Sequence, residues 1–370
     1  MSGKPSTPSR MRSLRTALAQ PITRWVLGGA LVALAVALPL LNIVVPGVLP
    51  GATYTPGTLQ VLALSLIFAA LALSYHVLFG VTGLLSFGHA LYFAIGAYGL
   101  GIVLERTGLE LLPAIGLTLV GALFAATVLG AVSLRVGGIS FAMVTLAFAQ
   151  AGSVLIRRNP EVTGGDEGLS LPTGRVPDFL VGVADTRNLY WLALGVLVAV
   201  FFAVRWFERS RAGHVASAVR ENELRVRVLG LPPFPAKLVA FVIGSVLAAV
   251  TGMLYVLLQS GVTPRAVSAD FTLTVLVIVV LGGVGSRWGA VIGGIVYTLL
   301  DQRLTTLAGS DAIASLPPVL RIPLSEPLFL LGTLFILVVL FLPGGIVGLA
   351  GRVGRRRPTE NPRDRLEETS

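Results

Sequence analysis

Three histidines, His76, His89 and His214, are the only imidazoles of the chain, and no cysteine accompanies them. Their spacing matches no metal-ligand pattern, so a metal site is not expected and no cofactor is called for. His89 sits in "VTGLLSFGHALYFAIGAYG", Val81 to Gly99, a stretch without Asp, Glu, Lys or Arg. Two roles suit such a ring: a group on a transport pathway, or a neutral imidazole hydrogen-bonded to a neighbouring helix. His76, near the end of its apolar run, is expected at the membrane interface. Within the apolar runs there are no paired carboxylates, HExxH or Ser/Lys dyad, which argues against a membrane-embedded enzyme. There is no GxxxxGK[ST] phosphate loop, and Lys4 and Lys237 are the only lysines. Hydrolysis of ATP, if it drives this protein, must come from another chain.

The acids are placed as tellingly. Asp270, Asp301 and Glu326 fall at the edges of apolar runs and none falls mid-run. Proton-driven carriers keep an intramembrane titratable relay because a charge in lipid is costly, so this absence counts against one. Sodium coupling through unwound backbone carbonyls stays open. Glycine carries more information. Gly285, Gly289 and Gly293 recur every four residues, as do Gly282, Ser286, Ala290 and Gly294, and Ser86, Ala90 and Ala94 form a similar row beside Gly88 and Gly96. Such rows permit close helix packing. They also let a helix unwind so that backbone groups face a polar substrate, which makes Ser86, Gly88, His89, Gly282, Gly283 and Gly285 candidate pathway residues. A zwitterionic amino acid needs donors for its carboxylate and acceptors for its ammonium, and broken-helix backbone supplies both.

The elements that would position these residues follow from composition. The chain of 370 residues is 54% hydrophobic and only 12% charged, about half the charge of soluble domains. Between Arg24 and Glu105 there is no charged residue, far more than the ~20 apolar residues that cross a bilayer. The fold class is therefore an all-α, polytopic integral membrane protein. Apolar runs lie near 26–45, 59–78, 84–104, 111–132, 138–156, 189–204, 238–259, 271–303 and 326–343. The 271–303 run, interrupted by "GGVGSRWGAVIGG", is either two short spans or one broken helix. Splitting it gives about ten transmembrane helices, some short or broken. Val81-Thr82-Gly83 reads as a short reversal, with His89 about two turns into the next span.

Charge asymmetry orients the chain. A basic tail over 1–24, with Arg10, Arg12, Arg15 and Arg24, is assigned to the cytoplasm. Ten crossings also bring inside Arg135, Arg287, the 205–237 segment and the 350–370 tail. The 205–237 segment carries seven Lys/Arg against three acids, whereas the 157–188 loop, with four Arg against five acids, falls outside. The net charge of +10 then reflects tails and short loops, not nucleic acid. Residues 25–349 form the permeation domain between the tails. Within the 205–237 segment, Val215, Val219, Val226 and Leu229 fall on neighbouring turns of one helix, and Gly230 and the two prolines after it end that helix. It is either a retention signal lying on membrane lipid or a helix that docks into a groove on a soluble partner.

Five stretches now carry a resemblance: "GLLSFGHALYFAIGAYG", "TGGDEGLS", "AVRENELRVRVLGLPPFPAKLVAFVIG", "VLGGVGSRWGAVIGG" and "LFLPGGIVGL". In this order, from about Leu59 to Leu349, they resemble the membrane permeases of branched-chain amino-acid ABC importers, most closely the LivM type. The resemblance implies a second, LivH-type permease as heterodimer partner, two cytoplasmic ATPases and a periplasmic binding protein, in a bacterial inner membrane. It implies ATPase contact by the loop helix, carried here by Arg220, Glu221, Asn222, Glu223, Leu229 and Gly230. It also implies a structured element at the periplasmic mouth, where Thr163, Gly164, Gly165 and Asp166 would line or gate the path; composition alone reads Asn159 to Gly174 as a solvated turn. Related urea or short-amide importers share most of these motifs, so the substrate stays open. A self-sufficient secondary carrier is the reading from another class.

Overall fold

The computed structural model describes residues 21–45, 49–181, 185–309, 321, 325–341 and 344–348. Arg10, Arg12 and Arg15 and the 350–370 tail lie outside them. The chain forms two compact units, Met1–Leu59 and Gln60–Ser370. The first holds α1 (Pro21–Ala37), which tightens into a 3-10 turn at Leu38–Leu40. Helix therefore ends before the 26–45 run does, and Thr53 ties down the extended chain by accepting from the Ile43 amide at 3.3 Å.

α2 (Pro56–Tyr75) begins on a proline, whose missing N–H costs nothing in a first turn. It continues without a break as a π-helix over His76–Thr82. The second unit then runs through α3 (His89–Thr107), α4 (Leu111–Ser133), α5 (Ile139–Arg158), α6 (Thr186–Arg209), α7 (Arg211–Val228), α8 (Pro233–Gln259), α9 (Ala269–Gly282), α10 (Arg287–Ala308) and α11 (Pro327–Phe341). Serines cap three of these helices: Ser210, Ser268 and Ser286 accept from the amides of Gly213, Phe271 and Gly289 at 3.1, 3.2 and 3.2 Å.

Among the described residues five helices are long and apolar enough to cross a membrane: α2 with its π-helix, α4, α5, α6 and α8. α9 and α10 meet the same measure only together, bent by 117° at their junction. The interrupted 271–303 run is thus a broken span or a re-entrant loop. α3 falls outside this set, and the count of ten crossings leans on it, on α1 and on segments beyond the described residues.

α3 is the centre of the second unit. A Cβ on Gly96 would collide with the Ala249 carbonyl, and one on Gly252 with the Phe93 carbonyl. α3 and α8 therefore cross backbone to backbone, the contact that small residues allow when lipid offers no hydrophobic drive to associate. Two edge-to-face aromatic pairs, Tyr92–Phe241 and Phe93–Tyr255, extend that contact along both helices. The outer surface is carried by α4 and α5, whose Val120, Phe124, Met143 and Leu155 are exposed as lipid-facing side chains should be.

α8 joins two distinct ends of the unit. At one end its first turn meets α7. At the other, β2 (Gly261–Val262) pairs antiparallel with β1 (Leu169–Ser170) in the register Leu169↔Val262 and Ser170↔Gly261. These two-residue strands clasp the loop after α5 to the chain after α8. They are the only strands among the described residues.

Candidate functional site

The helix expected over 84–104 starts at His89. Residues 84–88 are not helical, and Gly83, at φ 71, turns the chain out of the π-helix. Val81 and Thr82 belong to that π-helix and do not form the reversal. His89 is consequently the first residue of α3 rather than a residue two turns inside a span.

Three helices supply the partners that the interrupted backbone lacks. Tyr75 of α2 donates its hydroxyl to the Ser86 carbonyl at 3.0 Å. Thr145 of α5 accepts from the Phe87 amide at 3.1 Å, and Thr272 of α9 accepts from the Ala90 amide at 3.0 Å. Ser86 itself accepts from the Gly88 amide at 3.3 Å. Irregular backbone inside a membrane protein survives only where protein satisfies it in this way.

His89 is fully buried and its Nε2 lies 2.8 Å from Ser74 Oγ. Ser74 donates its own proton to the Leu71 carbonyl at 2.6 Å, so it accepts from the ring, and Nε2 carries the proton. Nδ1 is left as an acceptor without a hydrogen-bond partner. The reading of His89 as a ring hydrogen-bonded to a neighbouring helix matches this geometry. The small-residue row needs revision: Ala90, Ala94 and Gly96 lie on α3, whereas Ser86 and Gly88 belong to the break.

The glycine motif after α9 makes a sharp turn. Gly283 and Gly285 take φ of 120 and 88, values open to glycine. Gly289 and Gly293 pack against the end of α9, a Cβ on Gly294 would strike Ala69 of α2, and Gly345 is seated against Gly283. The rows predicted from spacing thus split: Gly282 closes α9, Gly285 lies in the turn, Ser286 caps α10, and Gly289, Ala290, Gly293 and Gly294 lie on α10.

Next to this turn lies a polar cavity of about 560 Å³, lined by residues that include His76, Gly80, Glu208, Arg220, Glu221 and Gly285. Glu208, in the last turn of α6, bridges His76 Nε2 at 3.0 Å and Arg287 Nε at 2.9 Å. The Arg287 guanidinium also lies 5.3 Å over the Phe201 ring. His76 is buried in this cluster. The cluster escaped sequence reading because 132 residues separate His76 from Glu208. Its one visible signal was a lone glutamate in the last turn of an apolar helix.

α7 is kinked. Asn222 adopts extended backbone at φ −161 and ψ 102, and its Oδ1 accepts from the Arg225 amide at 2.9 Å. It caps a second, shorter helical segment. That segment ends in a Schellman motif, with Gly230 at φ 79 and bonds from the Gly230 and Leu231 amides to the Arg227 and Val226 carbonyls. The continuous helix read from sequence is therefore two pieces. Val219 and Val226 are buried, but Leu229 is 71% exposed, in the company of Leu224 and Val228. Arg220 turns inward and donates to the Gly80 carbonyl of the π-helix. Glu223 is held by Lys237 and Arg227, each at 2.6 Å, while Glu221 lines the cavity.

At the opposite end, Thr163 is buried and donates to the Ile156 and Asn159 carbonyls at 2.5 and 2.8 Å. Gly164 and Gly165 take φ of 74 and 59 in the turn that follows. Asp166 is 80% exposed and lies 3.8 Å from Arg157. The "TGGDEG" stretch is thus a backbone-crowded turn with two outward carboxylates, Asp166 and Glu167. No group of three metal-ligating side chains occurs among the described residues.

Buried helices, a hydroxyl-lined break and a glycine-built broken span define an all-α, multi-pass membrane protein. The chain belongs to the family described as "branched-chain amino acid transport system / permease component", whose pattern matches residues 57–342. It is 32% identical over 272 residues to the high-affinity branched-chain amino acid transport system permease protein LivM of Escherichia coli K12, covering 66% of this chain and 62% of the relative. A probable LivM of Methanocaldococcus jannaschii is 26% identical over 318 residues, 76% of this chain and 90% of that protein. The LivH permease of Escherichia coli K12 is 25% identical over 302 residues, 76% and 91% of the two chains. The chain thus matches less than two thirds of the length of the bacterial LivM proteins.

Proposed function

We propose that the chain is the membrane-spanning permease subunit of an ATP-driven importer of branched-chain amino acids, seated in the inner membrane with both termini cytoplasmic. In this reading it pairs with a LivH-type permease, two cytoplasmic ATPases and a periplasmic binding protein, and has no catalytic machinery of its own. The break at 83–88 forms the polar part of the pathway. Its hydroxyls and carbonyls, with Ser86, Gly88 and His89, exchange one another for the ammonium and carboxylate of a zwitterionic substrate. The Gly282–Gly285 turn lies at the cytoplasmic exit, and the Thr163–Asp166 turn at the outer mouth. The second half of α7 docks the ATPase.

The observation that carries this reading is the build of α7. Its second segment exposes Leu224, Val228 and Leu229 (71, 81 and 71%), which have no reason to face water unless a partner covers them. Its first segment reaches the π-helix through Arg220, and the π-helix leads into the break. Docking at one face of α7 therefore has a mechanical route to the pathway.

Leu224→Glu with Val228→Glu should leave membrane insertion intact and abolish copurification of the ATPases, together with ATP-dependent leucine uptake into vesicles. Full copurification and uptake with both glutamates present would overturn the docking assignment. Glu223 makes a poor probe, because its removal also unpins α7 from Lys237.

A further inference from the structure

At the strand end, α4 and α6 both pack against α8, and a groove of about 910 Å³ opens between their first turns. Its apolar lining comes from Leu112 and Ile115 of α4, Trp191 and Leu192 of α6, Leu257 of α8 and Phe179. Leu112 and Phe179 are largely exposed, so the groove opens sideways between two helices of membrane-crossing length. Its polar rim holds two opposite charges, Glu110 just before α4 and Arg175, whose guanidinium lies over Gly108. Asn188, the third polar rim residue, already donates to the Phe179 carbonyl at 2.9 Å and to Asp185 at 3.2 Å. Arg187, 5.9 Å from the Trp191 ring, sets this level at the headgroup zone, where Trp and Arg anchor spanning helices.

We infer that this groove binds a zwitterionic aminophospholipid, with one acyl chain between α4 and α6, the phosphate at Arg175 and the ammonium at Glu110. Hydrocarbon tails gain nothing by leaving lipid for an equally apolar groove, so selection must come from the headgroup. A phosphate alone satisfies Arg175 but leaves Glu110 facing a like charge. A phosphate joined to a primary ammonium complements both. A free amino acid carries the same two charges but leaves most of the groove unfilled. The site is thus independent of the transported substrate and lies at the opposite end of the helices from α7.

The test uses the full chain in mild detergent, given equal amounts of isotope-labelled phosphatidylethanolamine and phosphatidylglycerol, with and without leucine, and read by native mass spectrometry. Phosphatidylethanolamine should be retained preferentially. Arg175→Ala and Glu110→Gln should each lower its retention about tenfold, the scale of one charge-assisted contact. Ile115→Trp should fill the groove and remove the lipid, whereas Val128→Trp, an exposed position further along α4, should not. Equal retention of both lipids, unchanged binding in the charge variants, or displacement by leucine would each overturn the inference. Should Ile115→Trp fail to fold, phosphatidylethanolamine with a photoreactive acyl chain decides on the unaltered protein. Crosslinks confined to Leu112, Ile115 and Leu192 support the site, and crosslinks spread along α4 and α5 sink it.

Discussion

Two side chains show how much their immediate partners decide. Partial burial pushes the Glu223 carboxyl up, but hydrogen bonds and charge from Lys237 and Arg227 together outweigh it and hold the carboxyl below the usual glutamate range. A pKa lower in the folded than in the unfolded chain gives stabilisation that is complete above the unfolded value and is lost as pH falls through the folded one. Protection of the amides at residues 225–231, their exchange rate taken relative to the intrinsic rate at each pH, should therefore be high and flat from neutrality down to the usual glutamate range, and then fall. Glu223→Gln should show low protection throughout and lose the step. A step that persists in the variant would assign the titration to another group. Ser74 is the second case. Its hydroxyl is the acceptor for the buried His89 Nε2–H, so Ser74→Ala orphans that proton. The cost should be about 1–3 kcal/mol, read as a lowered Tm in detergent. An unchanged Tm would mean that another partner or a water takes the proton.

Among the elements, legibility followed locality. Glycine rows betrayed close packing, and the end of α7 at Gly230 was readable because a C-terminal glycine and two prolines act within a few residues. The kink at Asn222 was hidden because an asparagine inside "RENELR" fits either a helix interior or a cap, and only tertiary context chooses. Asn222→Ala removes that cap and should cost about 0.5–2 kcal/mol of local stability, seen as faster exchange confined to residues 223–228. The broken stretch at 84–88 was hidden for a related reason. Its backbone is satisfied by Tyr75 and Thr145, and the helix start after it by Thr272, all from other helices, and no local pattern announces distant partners. The α3–α8 crossing gives a sharper test. Gly252 has a backbone carbonyl where its Cβ would stand, whereas Gly121 on α4 has open space. Gly252→Val should cost at least the ~1–3 kcal/mol of an overpacked core and reduce the yield of folded protein. Gly121→Val should be neutral. Equal behaviour of the two would show that α3 and α8 do not meet as closely as their glycines permit.

On the scale of the whole molecule, composition made the membrane class plain, yet the number of crossings did not follow from it. Apolar runs register both spanning helices and buried ones, and α3 is largely buried among its neighbours. The two ends of the second unit are well separated. α8 has 27 residues, about 40 Å at the rise of a helix, which exceeds a hydrocarbon core of ~30 Å. Its first turn adjoins α7 and its last adjoins the β1–β2 clasp, so these must lie on opposite sides of a bilayer if α8 crosses it. The absence of native cysteine makes this easy to test. Leu229→Cys just after α7 and Glu167→Cys in the turn after α5 each add a single exposed thiol. In intact spheroplasts an impermeant maleimide should label Glu167→Cys alone, and Leu229→Cys should react only after permeabilisation. Labelling of both from one side would place α8 within one leaflet and undo the two-ended arrangement. The reverse pattern would keep α8 as a span but invert the chain, putting the arginine-rich segment outside against the charge bias that orients membrane proteins.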